Sequence, residues 1–196
     1  MVRFIKSYVS AVLFCGMSLW CIGGDELARH LSDPSICAFL DSIAWAEGTL
    51  TKDVVGYQCM FGYETFNDFS DHPRKAICTF SNGVLLCSTA AGKYQFLQST
   101  WDRVANKTGA KDFSPHNQDC AAIYLLLSCG AVQALRQKHA SESICFFNAL
   151  KKVRHIWASL PGAPYDQPTK KEREMYDVYR KLLAYHKNRL KKEGGA

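Results

Sequence analysis

The residue best placed to do chemistry is Glu47, an acidic side chain at the end of an apolar helix. Asp33 is a suitable N-cap, Pro34 suits the first helical position, and Gly48 favours termination. Apolar residues precede Glu47 on the same helical face: Ile36, Leu40 and Ile43. Burial and the negative end of the helix dipole would both raise the pKa of this carboxyl group. A glutamate protonated near neutral pH can act as a general acid, whereas the alternative is a glutamate that simply reaches solvent where the helix ends.

Length and composition indicate one folded domain with a tail. The chain has 196 residues, of which 47% are apolar and 21% are charged, values typical of a folded protein with a full core. The formal net charge is +6, which suits an anionic polymer such as cell wall, nucleic acid or lipid headgroups. Because basic residues do not form a run interleaved with aromatic residues, we do not expect nucleic-acid binding.

The N-terminus has the pattern of a secretory signal peptide. Arg3 and Lys6 precede an apolar run over residues 8–19, and Gly23 and Gly24 follow as small residues. We therefore expect a signal peptide over residues 1–23, a short linker over 24–34, and export to the periplasm or cell envelope. The run is short for a membrane span, and an uncleaved anchor is the alternative.

The cysteines favour disulfides over a metal site. Of nine cysteines, seven follow the leader, and no Cys-x-x-Cys pair occurs among them. Asn82 and Gly83 form the strongest short hairpin pattern known, midway between Cys78 and Cys87. A two-residue turn at this position places the two cysteines opposite each other, within disulfide reach. We predict a Cys78–Cys87 disulfide and leave the other pairings open.

The rest of the chain predicts an α+β protein in which helices surround a small lobe of strands and loops at residues 48–86. Asp68 and Asp71 end this lobe, either as a solvated turn or as a cleft wall that orients a ligand. Tyr94 and Gln95 follow a glycine-bearing turn, where an amide can bind a polar substrate group or cap the backbone. Residues 115–127 form a helix apolar on nearly all sides, which predicts a central position. A basic amphipathic helix over 169–196 packs on the domain or extends it, and contact with an anionic envelope surface is the rarer alternative.

Several sequence blocks, in order along the chain, resemble a known family, the lambda-endolysin-like enzymes of glycoside hydrolase family 104. These blocks are AFLDSIAWAEGT at 38–49, GY at 56–57, FNDFSDHPRK at 66–75, TAAGKYQ at 89–95, KDFSP at 111–115 with QD at 118–119, and IWASLPGA at 156–163 with Tyr165.

The resemblance implies a lysozyme-like α+β fold over residues 35–168, with a helical lobe and a small β lobe flanking a cleft. It implies lytic transglycosylation of peptidoglycan between N-acetylmuramic acid and N-acetylglucosamine, which leaves a 1,6-anhydro sugar. Glu47 falls on the catalytic glutamate, and the expected substrate-binding residues are Tyr57, Asp68, Asp71, Tyr94, Gln95 and Tyr165. The implied chemistry requires no cofactor or metal, its partner is the glycan strand, and we expect a monomer.

Two other functions are compatible with the sequence. A hydrolase of the same fold would need a second carboxylate, and Asp68 or Asp71 would have to lie across the cleft from Glu47. A non-catalytic wall-binding envelope protein could retain the cleft without using Glu47.

Overall fold

The computed structural model describes residues 2–4, 22–50, 56–81, 84–165 and 167–193. Most of the predicted signal peptide therefore lies outside the described residues. Within it, strand β1 (Val2–Phe4) pairs in parallel with residues 85–87 of a later strand. The architecture is α+β, as predicted, with a mainly helical body and one small sheet.

Helix α2 (Pro34–Ala46) carries the predicted glutamate at its C-terminal end. The carboxylate of Asp33 accepts a hydrogen bond from the backbone N–H of Ser35 at 3.0 Å, and Pro34 occupies the first turn. Glu47 is the C-cap, and Gly48 follows with φ of +79°, a left-handed conformation that glycine adopts without strain. Both ends of α2 thus lie within a residue of the positions that the sequence predicts.

Helix α4 (Pro115–Ser128) runs through the centre of the helical body. Ser114 caps it, accepting a hydrogen bond from the backbone N–H of Asn117, and residues 120–126 are all buried. The other helices of the body are α3 (Gln98–Thr108), α5 (Ala131–Leu135) and α6 (Glu142–Val153). The central position of α4 confirms the prediction drawn from its uniformly apolar sequence.

Helix α7 (Glu172–Glu193) packs along α2. Its buried residues are Met175, Tyr179, Leu183 and His186. The ring of Tyr179 lies 6.4 Å from that of Phe39 on α2 and 4.8 Å from that of Phe146 on α6. The helix is therefore part of the domain core. None of the helices in the described part of the chain is long and apolar enough to cross a membrane.

The small lobe is built around a hairpin of strands β2 (Ile77–Ser81) and β3 (Val84–Ser88), and the sheet order is β1-β3-β2. Cys78 pairs with Cys87 in the antiparallel register, with Cα atoms 4.0 Å apart and a disulfide bond between them. This confirms the predicted bridge, although the turn residues 82–83 lie outside the described part. The cysteines at 37, 59, 120, 129 and 145 are free thiols.

The segment 24–34 differs from the linker that the sequence predicts. It contains helix α1 (Gly24–Ala28) and a 3-10 turn (Arg29–Ser32), and α1 packs against α4. Leu27 has no exposed surface, because this short helix places it in the main core. The folded domain therefore begins before residue 35.

Candidate active site

Glu47 faces a cavity between the end of α2, the small lobe and the loop after α6. The cavity lining also includes Phe61, Gln95, Ser159 and Gln167. Glu47 lines this cavity, and as a residue it retains some exposed surface. Of the described residues that line the cavity, Glu47 alone carries a carboxylate.

The carboxyl group of Glu47 has a single side-chain partner among the described residues, the hydroxyl of Ser159. Ser159 Oγ donates to Glu47 Oε1 at 2.5 Å. Burial raises the pKa of Glu47 to about 7, and hydrogen bonds from the side chain and backbone of Ser159 act in the opposite direction. Near neutral pH a substantial fraction of Glu47 therefore retains its proton, as a general acid requires.

Gln95 is brought to the same cavity by a tight turn after β3. The backbone of Gln95 is left-handed, with φ of +47°, and Gly92, at the start of the turn, has φ of +77°. The side-chain nitrogen of Gln95 donates to the carbonyl oxygens of Gly92 at 3.0 Å and Cys59 at 3.3 Å. These contacts use the nitrogen, and the amide oxygen of Gln95 has no partner among the described residues. Gln95 thus both braces the backbone and offers an acceptor to a ligand.

The loop that carries Ser159 is fixed to the turn that carries Gln95. The indole N–H of Trp157 donates to the carbonyl oxygen of Tyr94 at 2.9 Å, and both side chains are buried. Further along the loop, the backbone N–H of Lys170 donates to the carbonyl oxygen of Ser159 at 2.9 Å. These bonds hold the hydroxyl of Ser159 in place against Glu47.

A buried charge cluster lies behind the turn. Lys93 Nζ lies 2.9 Å from Asp41 Oδ1 and 3.8 Å from Asp119 Oδ1, and His186 Nε2 lies 2.8 Å from Asp41 Oδ2. Burial alone would lower the pKa of Lys93, but the carboxylates of Asp119 and Asp41 outweigh it and hold that pKa above its ordinary value. The ionised lysine therefore ties α2, α4 and the turn together, and His186 adds α7 to the cluster.

Tyr57 and Tyr94 belong to this cluster and not to the cavity that Glu47 faces. The hydroxyls of Tyr57 and Tyr94 donate to the carboxylate of Asp119 at 2.9 Å and 2.7 Å. Tyr94 has no exposed surface, so a direct contact with a ligand is excluded in this conformation. Tyr57 is partly exposed and lines a neighbouring cavity. For Tyr94, the structure replaces the expected substrate contact with a role in supporting the turn.

The structure does not bring Asp68, Asp71 or Tyr165 into the cavity lining around Glu47. Asp68 is exposed and caps a local turn through the backbone N–H of Ser70, whereas Asp71 forms an ion pair with Arg74 at 2.7 Å. These contacts match the solvated turn that the sequence left open as an alternative. Tyr165 is partly buried and donates to the carbonyl oxygen of His155 at 2.5 Å.

Ser159 and Gln167 also line the cavity, and neither residue was predicted from the sequence. Ser159 lies inside one of the family-like blocks, so its hydroxyl was available as a candidate donor to an acid. Its contact with Glu47 joins residues 112 positions apart, which no local spacing reveals. The resulting site combines the protonatable carboxyl of Glu47, the hydroxyl of Ser159 and the side-chain amides of Gln95 and Gln167 around an open cavity. Such a set can protonate a leaving oxygen and bind an N-acetyl group.

The family model described as Endolysin matches residues 37–185. The endolysin of Escherichia phage lambda is 40% identical over 135 residues, which cover 66% of this chain and 79% of the relative. The endolysin of Escherichia phage P2 is 37% identical over 158 residues, covering 74% of this chain and 91% of the relative.

Two solved structures are similar in fold to this chain. Bacteriophage lambda lysozyme complexed with a chitohexasaccharide superposes with a TM-score of 0.66 at 35% identity, covering 76% of this chain and 94% of that one. A second structure of lysozyme from bacteriophage lambda gives a TM-score of 0.58 at 34% identity, covering 80% of this chain and 94% of that one. The helical body and small lobe thus form a lysozyme-like α+β fold.

Proposed function

Since this chain belongs to the endolysin family, we propose that it cleaves peptidoglycan as a lytic transglycosylase, with Glu47 acting first as acid and then as base. The bond cleaved joins N-acetylmuramic acid to N-acetylglucosamine. The product carries a 1,6-anhydro ring, because the C6 hydroxyl of the muramic acid replaces water as the nucleophile.

The observation that supports this mechanism is the single carboxylate in the described lining of the cavity. Retaining and inverting glycosidases commonly use two carboxylates flanking the scissile bond, about 5–10 Å apart. Asp68 and Asp71, the residues considered for the second role, do not line the cavity. A nucleophile supplied by the substrate removes the need for the second carboxylate.

The proton transfers follow from the state of Glu47. With its pKa raised to about 7 by burial, the carboxyl group can donate a proton to the glycosidic oxygen as the bond to C1 breaks. The resulting carboxylate is stabilised by the hydroxyl of Ser159, which already donates to it at 2.5 Å. This carboxylate then accepts the proton of the C6 hydroxyl while that oxygen bonds to C1, which restores the acid.

The remaining residues of the site would bind the substrate. The free amide oxygen of Gln95 can accept a hydrogen bond from the N–H of an N-acetyl group. The bacteriophage lambda lysozyme structure was solved in complex with a chitohexasaccharide, which supports a glycan as the ligand here. We further propose that the protein acts in the cell envelope as a monomer after export. The signal-peptide pattern supports export, and the basic residues of α7 suit an anionic wall or membrane surface.

Mass spectrometry of muropeptides released from purified walls tests the mechanism. We expect products that end in 1,6-anhydro-N-acetylmuramic acid, whereas reducing ends would establish hydrolysis. Glu47→Gln is the matched control, because the amide keeps the shape but cannot donate the proton. This substitution should abolish the release of muropeptides while leaving wall binding largely intact. An unchanged rate of muropeptide release would support the non-catalytic alternative.

A further inference from the structure

Tyr63 is an aromatic residue held in an unfavourable backbone conformation with its side chain in solvent. Its φ angle is +66°, in the left-handed region that a tyrosine rarely adopts, and the preceding Gly62 has φ of +76°. The residue is 84% exposed, the highest value among the large apolar residues in the described part of the chain. Neither packing nor backbone preference therefore accounts for a tyrosine at this position.

The turn that carries Tyr63 is rigidly attached to the cavity that Glu47 faces. The backbone N–H of Met60 donates to the carbonyl oxygen of Glu64 at 2.7 Å, which closes the turn. The backbone N–H of Phe61 donates to the carbonyl oxygen of Ala90 at 2.9 Å. Phe61 and Ala90 both line the cavity, so the turn forms part of its wall.

The ring of Tyr63 lies near Gly48, the residue that follows Glu47. A carbon placed at the Cβ position of Gly48 would lie 3.6 Å from Tyr63 Oη and 3.9 Å from its Cε1. The hydroxyl edge of the ring therefore lies close to the C-terminal end of α2, where Glu47 is the C-cap. Among the described residues, the Tyr63 hydroxyl has no hydrogen-bond partner.

We propose that Tyr63 is a sugar-binding platform at the rim of the cleft, on which a pyranose ring of the glycan strand stacks next to the scissile bond. This inference rests on the proposed function, because it takes the glycan as the ligand. An exposed aromatic face on a rigid turn can cover the apolar face of a sugar without reorganisation. The backbone conformation directs the side chain beside Glu47, where a bound glycan must pass.

A second exposed aromatic residue provides a matched control. Phe80 is 75% exposed and lies on β2 in the same small lobe. Neither ring is part of the cavity lining, but only that of Tyr63 lies close to Gly48. Removal of Phe80 deletes a similar exposed ring away from the cleft.

The test measures binding of an N-acetylglucosamine hexasaccharide to the Glu47→Gln variant by calorimetry, which separates binding from cleavage. Adding Tyr63→Gly should weaken binding about tenfold, the effect of one lost aromatic contact. Because glycine adopts φ of +66° without strain, the melting temperature should not fall. Tyr63→Phe should bind as its parent does, and Phe80→Ala should have no effect.

Kinetics in the wild-type background add a second readout. Tyr63→Gly should raise KM for wall fragments with kcat unchanged, because the contact is equal in the ground and transition states. The proposal would be overturned if Tyr63→Gly bound the hexasaccharide as tightly as its Glu47→Gln parent. It would also be overturned if Tyr63→Gly and Phe80→Ala lost the same affinity, or if the Glu47→Gln parent did not bind the hexasaccharide at all. Failure of the transglycosylase mechanism would appear separately, as reducing ends among the products.

Discussion

The hydrogen bond from Ser159 to Glu47 makes a quantitative prediction about the pH dependence of activity. The hydroxyl donates to the carboxylate at 2.5 Å, and its removal leaves burial unopposed by this bond, so the pKa of Glu47 should rise above about 7. A hydrogen bond to a charged group contributes about 1.5–3 kcal/mol and one to a neutral group about 0.5–1.5 kcal/mol. The difference of roughly 1 kcal/mol corresponds to somewhat less than one pH unit.

The assay is the pH profile of kcat/KM for Ser159→Ala, whose alkaline limb reports the acid in the free enzyme. We expect this limb to move to higher pH by about 0.5–1 unit, because the variant keeps its proton longer. Ser128→Ala is the control: it removes a partly buried hydroxyl that donates to the carbonyl oxygen of Leu125 at 2.8 Å, without contacting Glu47. A limb that stays in place, or that moves to lower pH, would refute the assignment of Ser159 as the donor that tunes Glu47.

Three further variants test the site and its support. Because burial raises the folded-state pKa of Glu47 to about 7, the wild type loses stability between about pH 4.5 and pH 7. Urea unfolding at pH 5 and pH 8 should show that the free energy of unfolding of Glu47→Gln does not fall by the about 1–3 kcal/mol that the wild type loses. An equal change in the free energy of unfolding for both proteins would contradict this expectation. Lys93→Met should lose about 3–5 kcal/mol, since Asp41 and Asp119 remain buried without their cation; an unchanged melting temperature would argue against the cluster. Leu27→Ala should cost about 2–5 kcal/mol in the same urea assay, whereas a linker residue would cost nothing.

The features that the sequence predicts correctly are those set by local rules. The cap at Asp33, the stop at Gly48 and the apolar spacing between them define α2, and they place Glu47 at its end. The disulfide between Cys78 and Cys87 follows from hairpin register alone, because a two-residue turn determines which residues face each other. In both cases, the residue types and their spacing along the chain were sufficient for a correct prediction.

The features that the sequence does not predict depend on contacts between distant segments. Lys93 reaches Asp41 on α2 and Asp119 on α4, and no spacing pattern links these positions. The same cluster draws in Tyr94, whose ring the sequence assigns to the cleft and the structure buries. Leu27 was missed for another reason: a five-residue helix is too short to show a helical period, and its burial depends on α4 lying beside it.

The central claim is that Glu47 is a carboxyl group shielded from water that holds its proton near neutral pH. Carbon-13 NMR titration of the Glu47 side-chain carboxyl, assigned by its disappearance in Glu47→Gln, measures this directly in the free enzyme. We expect a midpoint near pH 7, because burial raises the pKa of this carboxyl group from its ordinary range. A midpoint at the ordinary value of an exposed glutamate, near pH 4.5, would contradict it.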